Sequence, residues 1–390
     1  MKRWFCRGLA LLLPMMILLS GCSDDEAVFP RPTEGYGVAT VNAVGDIYLT
    51  GEMLADAHTG GTYNFVPQLK NVFSALAAAD LTVGNFEGIF AGASYGGETG
   101  SYPDELATVL SNAGFDLLQT ANSYSINGGL TGLSRTKSII EQNGMETIGT
   151  YRDSAERNKA PVVLREVNGV RIAFVAFTKG FGGLALPEDA ADCVNLLYSD
   201  YTTNYSEMNT SAIRSVLQAA QKQEPDIIIA MLHWGSENDS TVSKSQEEIA
   251  DFLFQNDVDV ILGSHSHVIG EVERRTIRME NGEEKEVVLA YGLGDFCAAE
   301  KNSTKSSLIL HLEFTRDHAA GITTISDVSY IPVAAVDNGI KASDRYAVLD
   351  IDNAIELYES NYYNRVSYEL YQTLLERRES ILNRVEPDEE

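Results

Sequence analysis

Two histidines that flank a single serine are the first residues in this sequence whose spacing indicates chemistry. The apolar run 258–262 leads through Gly263 to His265 and His267. Paired imidazoles at such a position are metal ligands more often than turn caps, because neutral imidazole is the commonest protein ligand for transition metals. His233 ends another apolar run and could join them, or it could be a packed, hydrogen-bonded histidine.

Two carboxylates follow apolar runs in the same way, Asp46 after residues 41–45 and Glu87 after residues 81–84. Taken alone, Asp46 could cap a turn and Glu87 could be a solvated loop charge. With the three histidines they suit divalent Mn, Fe or Zn better than Mg or Ca, since imidazole is prominent. Two ions about 3.5–4 Å apart could share a carboxylate and activate a water for in-line attack on phosphorus.

The elements that must position these residues alternate between apolar runs and helical periodicity. Strands are predicted at 39–44, 81–83, 115–119, 226–232 and 258–262, and helices at 65–79, 105–111, 130–142, 211–222 and 245–255. This alternation predicts a largely parallel sheet, in which ligands bind outside the carboxyl ends of the strands. Asn122, Ser123 and Tyr124 follow the strand at 115–119 and belong to the same rim.

Antiparallel additions are predicted where Asn-Gly pairs supply the positive φ angles of a tight turn. Asn168-Gly169 joins residues 162–167 to 170–177, and Asn281-Gly282 lies within a second hairpin at 274–291. Residues 178–208 are predicted to form an irregular insertion over one face, 307–314 a further strand, and 352–384 a helical tail. The predicted fold class is mixed α/β.

Composition excludes several functions. The chain has 390 residues, of which 44% are hydrophobic, and carries 29 Lys and Arg against 56 Asp and Glu, a formal charge of −27. This apolar content excludes disorder, and so acidic a chain would repel a nucleic acid. Beyond the first 22 residues only Cys193 and Cys297 remain, which is too few for a disulfide scaffold or a cysteine zinc cluster; a bridge between them is not implied.

The N-terminus is predicted to be a targeting segment. Lys2, Arg3 and Arg7 precede an apolar stretch at 9–19 that is too short to span a bilayer. Leu19-Ser20-Gly21-Cys22 resembles a bacterial lipobox, although an ordinary secretory signal with a chance cysteine would look similar. We therefore expect a signal peptide at 1–21, lipid on Cys22, a flexible tether at 22–37, a main domain at 38–338 and a helical extension at 339–390. The expected location is the cell envelope, anchored by lipid to the periplasmic or cell-surface face of a membrane.

Several of these segments, in their order and spacing, resemble the bacterial capsule-synthesis family CapA. The resemblance covers residues 39–300 and rests on Gly45-Asp46, Gly84-Asn85-Phe86-Glu87, Ala121-Asn122, Leu232-His233-Trp234-Gly235, residues 263–268 and Leu293-Gly294-Asp295-Phe296. That family is associated with making or exporting poly-γ-glutamate and similar capsules, and it resembles calcineurin-like metallophosphoesterases. The resemblance implies a four-layer α/β/β/α sandwich with two metal ions at the strand ends. Asp46, Glu87 and His267 would hold one ion, and Glu87, His233, His265 and a group near Asn122 or Ser123 the other.

One motif departs from the family pattern. The family usually reads Ala-Asn-Asn-His with Asp three residues later, whereas this chain reads Ala121-Asn122-Ser123-Tyr124 and then Asn127. The missing histidine resembles the residue that protonates the leaving group, which makes Tyr124 and Asn122 the catalytic candidates and Ser123 a substituted ligand. A phenol with a pKa of about 10 is poorly matched as a general acid at neutral pH. A smaller departure is Asp295, where Asn is common.

Two functions follow from these observations. The chain is either a lipid-anchored, metallophosphoesterase-like protein of surface-polymer synthesis, or a non-catalytic, metal-stabilised surface module that binds polymer or partner proteins. An enzyme of this kind would hydrolyse or transfer at a phosphoester or acyl bond. An anionic polymer would be repelled by the net charge unless bound metal or a local cation intervenes.

Overall fold

Two β-sheets carry the predicted site residues at their edges. The computed structural model describes residues 31–96, 99–339, 344–362 and 366–385. The strands there are β1 (Tyr36–Asp46), β2 (His58–Thr59), β3 (Thr62–Tyr63), β4 (Leu81–Asn85), β5 (Leu117–Gln119), β6 (Glu146–Ile148), β7 (Val163–Val167), β8 (Val170–Thr178), β9 (Ile227–His233), β10 (Val260–Ser264), β11 (Val272–Arg278), β12 (Glu284–Ala290), β13 (Thr304–Asp317), β14 (Ile322–Asp337) and β15 (Tyr346–Asp350). The helices are α1 (Gly51–Ala57), α2 (Val66–Leu69), α3 (Phe73–Leu76), α4 (Glu105–Ala113), α5 (Gly129–Gln142), α6 (Ser154–Lys159), α7 (Thr210–Gln221), α8 (Lys244–Phe254), α9 (Ile351–Glu359) and α10 (Tyr368–Val385). The signal peptide, Cys22 and most of the tether lie outside the described residues.

Each sheet has a parallel centre and antiparallel additions. The first sheet has the order β15-β14-β13-β1-β4-β5-β6, with β1, β4, β5 and β6 parallel and β13 antiparallel to β1. The second has the order β11-β12-β10-β9-β8-β7, with β12, β10, β9 and β8 parallel and both edge strands antiparallel. The parallel strands of each sheet therefore end at a shared rim.

Buried side chains define four layers. Alternate residues of the two sheets, including Val41 and Phe174, pack into one core between them. The other face of the first sheet packs against α1 to α5, and the other face of the second against α7 and α8. Alternation of burial across each strand places helices outside and sheets inside. The expected α/β/β/α sandwich is confirmed.

The C-terminal helices α9 and α10 pack on the antiparallel end of the first sheet, where Leu374 and Ile381 join the inter-sheet core. The helical tail is thus confirmed. One strand of the predicted extension at 339–390 escaped prediction: β15, which precedes the helical tail and pairs with Val333–Asp337 of β14. The domain division at residue 338 stays a prediction. None of the described helices is long and apolar enough to cross a membrane.

One local prediction, the helix at 65–79, needs correction, and both predicted hairpins form. The single helix expected at 65–79 is broken into α2, a 3-10 turn and α3, and it ends at Leu76. Its last carbonyls are taken by side chains of neighbouring strands: the Asn42 amide donates to the carbonyls of Ala75 (2.9 Å) and Leu76 (3.2 Å), and the Thr82 hydroxyl also donates to Leu76. The second predicted hairpin is confirmed, since β11 and β12 pair antiparallel, and its turn is a five-residue loop in which Asn281 Oδ1 accepts from the backbone N–H of Glu283. The Asn168-Gly169 turn has the predicted positive φ angles, 51° and 80°.

Candidate metal centre

The predicted ligands meet at the rim because each follows a parallel strand. Asp46 is the last residue of β1 and His233 the last of β9, while His265 directly follows β10. Glu87 lies two residues beyond β4. Asp46, Glu87, His233 and His265 are all buried, and His267 is half-buried.

The potential ligand atoms form two groups. Glu87, His233 and His265 make one group, and Asp46, His267 and Asp295 make the other. Within each group, one ligand atom per residue lies within 4.8 Å of those of the other two members. Each group thus offers carboxylate and imidazole together, the donor set that borderline divalent metals prefer.

The two groups are joined by the side chain of Asn85, the last residue of β4. Its Nδ2 donates to Asp46 Oδ1 at 2.7 Å and to Glu87 Oε2 at 2.6 Å. One amide therefore holds a buried carboxylate from each group. Asn85 Oδ1 is also buried, and it meets no hydrogen-bond partner in the described part of the chain.

His233 is oriented from both sides of its ring. Its Nε2 lies 3.0 Å from Glu87 Oε2, and its Nδ1 lies 3.1 Å from the hydroxyl of Thr178, the last residue of β8. The ring of His265 lies 4.3 Å away, centroid to centroid. Such a partner on the second ring nitrogen fixes the tautomer and direction of a ligating histidine.

The loop after β10 holds its two histidines in an uncommon backbone conformation. His265 has φ of 85° and His267 has φ of 59°, in the left-handed region that residues other than glycine rarely occupy. The backbone N–H of His265 donates to Asp46 Oδ2 at 3.2 Å, which ties the loop to β1. Strained backbone of this kind clusters at functional sites, where the surrounding structure must hold it.

Burial and charge drive the titration of the four main groups in different directions. Burial and the neighbouring charge of Glu87 raise the pKa of Asp46. Burial opposes ionisation of Glu87, but the charge and hydrogen bond of His233 outweigh it and lower the pKa of Glu87. Burial and the charge of His233 lower the pKa of His265 to about 2.

His267 titrates in the opposite sense to His265. Burial lowers the pKa of His267, but its hydrogen bond to Asp295 and the charges of Asp46 and Asp295 outweigh this and raise it to about 10. Its Nδ1 lies 2.8 Å from Asp295 Oδ1 and 3.5 Å from Asp46 Oδ2. Without metal, then, His265 is neutral and His267 is protonated at neutral pH.

These residues fit a divalent cation. The Nδ1 atom of His265 is buried and has no hydrogen-bond partner among the described residues. A buried polar atom left unpaired costs about 1–3 kcal/mol, and a bound ion would remove that cost. The adjacent buried carboxylates would also have their mutual repulsion relieved by a cation.

The segment that departs from the family motif lies beside this cluster. Asn122 is fully buried; its Nδ2 donates to the carbonyl of Phe86, and its Oδ1 accepts from the backbone N–H of Tyr124 at 2.9 Å. The Asn122 amide thus links the backbone of Phe86, the residue before Glu87, to the backbone of Tyr124. Ser123 and Tyr124 line a cavity together with His265. The roles predicted for these three residues stay predictions.

Tyr124 is half-buried, and its ring lies 6.5 Å from that of Tyr48. Burial, together with the neighbouring Tyr48 and Glu87, raises the pKa of its phenol above the ordinary value. The phenol is therefore neutral and can donate a hydrogen bond.

Sequence reasoning did not predict Asp295 as a site residue, although it noted its motif. Asp295 forms a parallel bridge with Asp46, and the two segments approach so closely that a Cβ on Gly45 would lie 2.0 Å from the carbonyl oxygen of Gly294. Glycine is required there because any side chain would collide with backbone. The Gly-Asp pairs at 45–46 and 294–295 were the available signal. Asn85 was placed at the rim beside Glu87 by its motif but was given no role, and Thr178 carried no signal of its own.

Comparisons with known proteins identify relatives. Residues 40–300 match the family described as bacterial capsule synthesis protein PGA_cap. The chain is 24% identical over 337 residues to the capsule biosynthesis protein CapA of Bacillus anthracis, covering 82% of this chain and 75% of that protein. It is 25% identical over 193 residues to the PGA biosynthesis protein CapA of Bacillus subtilis, covering 49% of this chain and 45% of that protein.

Solved structures are more distant. A calcineurin-like phosphoesterase, YfkN of Bacillus subtilis, is similar with a TM-score of 0.43 and 14% identity, covering 76% of this chain and 91% of that one. A phosphatase of Mycoplasma pneumoniae has a TM-score of 0.45 and 12% identity, with coverages of 77% and 95%. The four-layer order of this chain is given by its own two sheets and the core between them. The match over residues 40–300 shows that the chain belongs to the bacterial capsule synthesis protein PGA_cap family.

Proposed function

We propose that this chain is a lipid-anchored protein of the cell envelope that serves capsule or surface-polymer synthesis through a divalent-metal site with slow phosphoesterase activity. The observation that carries the proposal is a pair of adjacent ligand groups joined by Asn85. One consists of Glu87, His233 and His265, and the other of Asp46, His267 and Asp295. The names of the two CapA relatives support the biological setting. Poly-γ-glutamate or a related polymer is the proposed cargo.

Glu87, His233 and His265 would hold one ion, and Asp46, His267 and Asp295 a second. Mn, Fe or Zn is the expected metal, because half of the donors are imidazoles. Bound there, such ions would act as Lewis acids towards a phosphoryl oxygen and supply a nucleophile at neutral pH.

The chain's own residues prepare the site for this chemistry. Thr178 sets the direction of His233, and Asn85 keeps two carboxylates side by side. His265 needs no deprotonation, since its pKa lies far below neutrality. Asn122 fixes the backbone that carries Ser123 and Tyr124 at the cavity wall.

Proton donation to the leaving group is the weak step. Tyr124 stands where a histidine would be expected to serve, and general acid catalysis typically contributes about 10²–10⁴-fold. A neutral phenol with a raised pKa is a poor acid. We therefore expect slow cleavage of activated aryl phosphates, whose leaving groups need no proton, and little cleavage of alkyl phosphates.

The same observation favours the second candidate, a non-catalytic module in which the metal only stabilises the fold. The two functions differ in turnover with metal bound. Metal-loaded protein that hydrolyses neither aryl phosphomonoesters nor aryl phosphodiesters would favour the module.

Elemental analysis after reconstitution with Mn, Fe or Zn tests the site. The wild type should retain metal, and the double variant His265→Ala/His267→Ala should lose it. His58→Ala, which changes an exposed histidine, is the matched control and should bind metal as the wild type does. Equal and negligible metal in the wild type and the double variant would refute the proposal.

The lipid anchor is tested separately, since Cys22 lies outside the described residues. Cys22→Ala should abolish fatty-acid labelling and block normal processing of the precursor. Undiminished labelling of this variant would contradict the anchor and leave the metal site unaffected.

A further inference from the structure

The cavity beside the metal centre has a lysine, Lys179, in its wall, and no part of the proposed function uses this residue. It has a volume of about 440 Å³, and its lining includes Ser123, Tyr124, Lys179, Phe181, Tyr205 and His265. His265 belongs to both the cavity and a ligand group, so the cavity opens directly onto the metal centre. A molecule that reacts at the centre would extend into this space.

Lys179 is held at this wall by its own backbone and side chain. It is the first residue after β8, and its N–H donates to the carbonyl of His233 at 2.9 Å. Its Nζ donates to the carbonyl of Gly235 at 2.7 Å and lies 4.8 Å from the centre of the Tyr205 ring. The Lys179 ammonium has three N–H donors. Among the described residues, one acceptor at hydrogen-bond distance, the carbonyl of Gly235, is bonded to it.

The irregular insertion after β8 holds Tyr205 at the wall of the cavity. Tyr205 adopts φ of 51°, and the loop around it is closed by Asp200, which accepts from the backbone N–H groups of Ser206 and Glu207 at 3.0 Å. A Cβ at Gly180 would lie 3.1 Å from the Tyr205 ring and 2.9 Å from the carbonyl oxygen of Tyr201. Close packing of this kind leaves room for Tyr205 only because residue 180 is glycine.

The charge of Lys179 is unusual in its surroundings. The chain has a formal charge of −27, which repels anions at long range. Burial lowers the pKa of Lys179 from its ordinary value, and the charge of Glu237, an exposed residue that lines the same cavity, opposes that lowering. The half-buried ammonium next to the ligand group is therefore a local exception to the negative field of the chain.

We propose that Lys179, backed by the Tyr205 ring, binds an anionic oxygen group of the substrate, a carboxylate or a phosphate, in the cavity that opens at His265. The substrate would then carry a second anionic group beyond the bond that reacts. This rests on the proposed function, because it takes the metal centre as the reacting end of the site. It also explains how so acidic a chain could admit an anionic polymer.

The test measures anion binding to the full-length chain by calorimetry, with N-acetyl-γ-glutamylglutamate and inorganic phosphate as separate probes. Lys179→Met should weaken the binding of at least one probe about tenfold or more, the size expected for the loss of a charge-assisted hydrogen bond. Lys179→Arg should restore binding to within about threefold. Lys222→Met, at the far end of α7 from the rim, is the matched control and should change nothing.

The two probes separate the sources of the anionic group. Weakening of the dipeptide alone identifies a carboxylate site, and weakening of phosphate alone identifies a phosphate site. Equal affinity of wild type and Lys179→Met for both probes, no binding of either probe to the wild type, or failure of Lys179→Arg to restore binding would overturn the proposal.

Each variant is measured both metal-loaded and chelated, with its metal content determined. Loss of metal from the wild type marks a failure of the proposed function, whereas unchanged affinity in Lys179→Met with metal retained marks a failure of this inference alone. A merely structural role for Lys179 would lower metal content and stability as well, and arginine would not reverse it.

Discussion

Replacing Asn85 by alanine should destabilise the metal-free protein more than the loss of an amide side chain ordinarily does. The Asn85 amide donates two short hydrogen bonds, to the buried carboxylates of Asp46 and Glu87. A hydrogen bond to a charged group contributes about 1.5–3 kcal/mol, so the two together set an upper limit of about 3–6 kcal/mol. Asp46 can take up a proton when the amide is lost, because its pKa is already raised, and this relieves part of the penalty. We expect the free energy of unfolding to fall by about 2–4 kcal/mol.

Urea denaturation of chelated protein, followed by the fluorescence of the buried Trp234, measures this loss. Asn256→Ala is the matched control, because the Asn256 amide donates one bond of 2.7 Å to a neutral carbonyl, that of Phe252. It should cost only about 1 kcal/mol. Asn85→Asp should be worse than Asn85→Ala at neutral pH, since it adds a fourth carboxylate to a cluster in which Asp46, Glu87 and Asp295 are already buried. A loss in Asn85→Ala no larger than in Asn256→Ala would refute the reasoning that this amide holds the two carboxylates together.

Three further outcomes are expected. Between about pH 8 and 9, metal affinity should rise by up to about tenfold per unit, because an ion must displace the proton of His267, whose pKa is about 10, whereas Asp46, whose pKa is about 7, is already ionised there. Chelator competition measures this slope, which His267→Gln should abolish; a flat wild-type profile would contradict it. Ser123→Asn combined with Tyr124→His should raise kcat/KM for alkyl phosphates more than for aryl phosphates, by at most about 10²–10⁴-fold. An unchanged ratio of the two kcat/KM values at equal metal loading would contradict the idea that the site lacks a general acid. Gly45→Ala should cost more than about 3 kcal/mol of stability and release metal, whereas Gly51→Ala, with open space around it, should change stability by less than about 0.5 kcal/mol.

Much of the fold was accessible from local patterns. Central parallel strands are buried on both faces, so they read as unbroken apolar runs, and the polar residue that ends each run marks the rim. Asp46, His233 and His265 were found in this way, and the structure brings them together. The end of the helix at Leu76 was missed, because the side chains of Asn42 and Thr82 that accompany this end come from strands and not from the helix itself.

By itself, the sequence determined the alternation of strands and helices, the Asn168-Gly169 turn and most of the ligand candidates, because these depend on the chemistry of neighbouring residues. Only the tertiary structure decided how the ligands are grouped. Asp46 meets Asp295 through a backbone contact between segments about 250 residues apart, and Asn85 reaches carboxylates of both groups only because β1 and β4 are neighbours. The position of Lys179 at the cavity depends likewise on the insertion folding back over β8. Such contacts between distant segments are set by packing of the whole sandwich, and no local spacing encodes them.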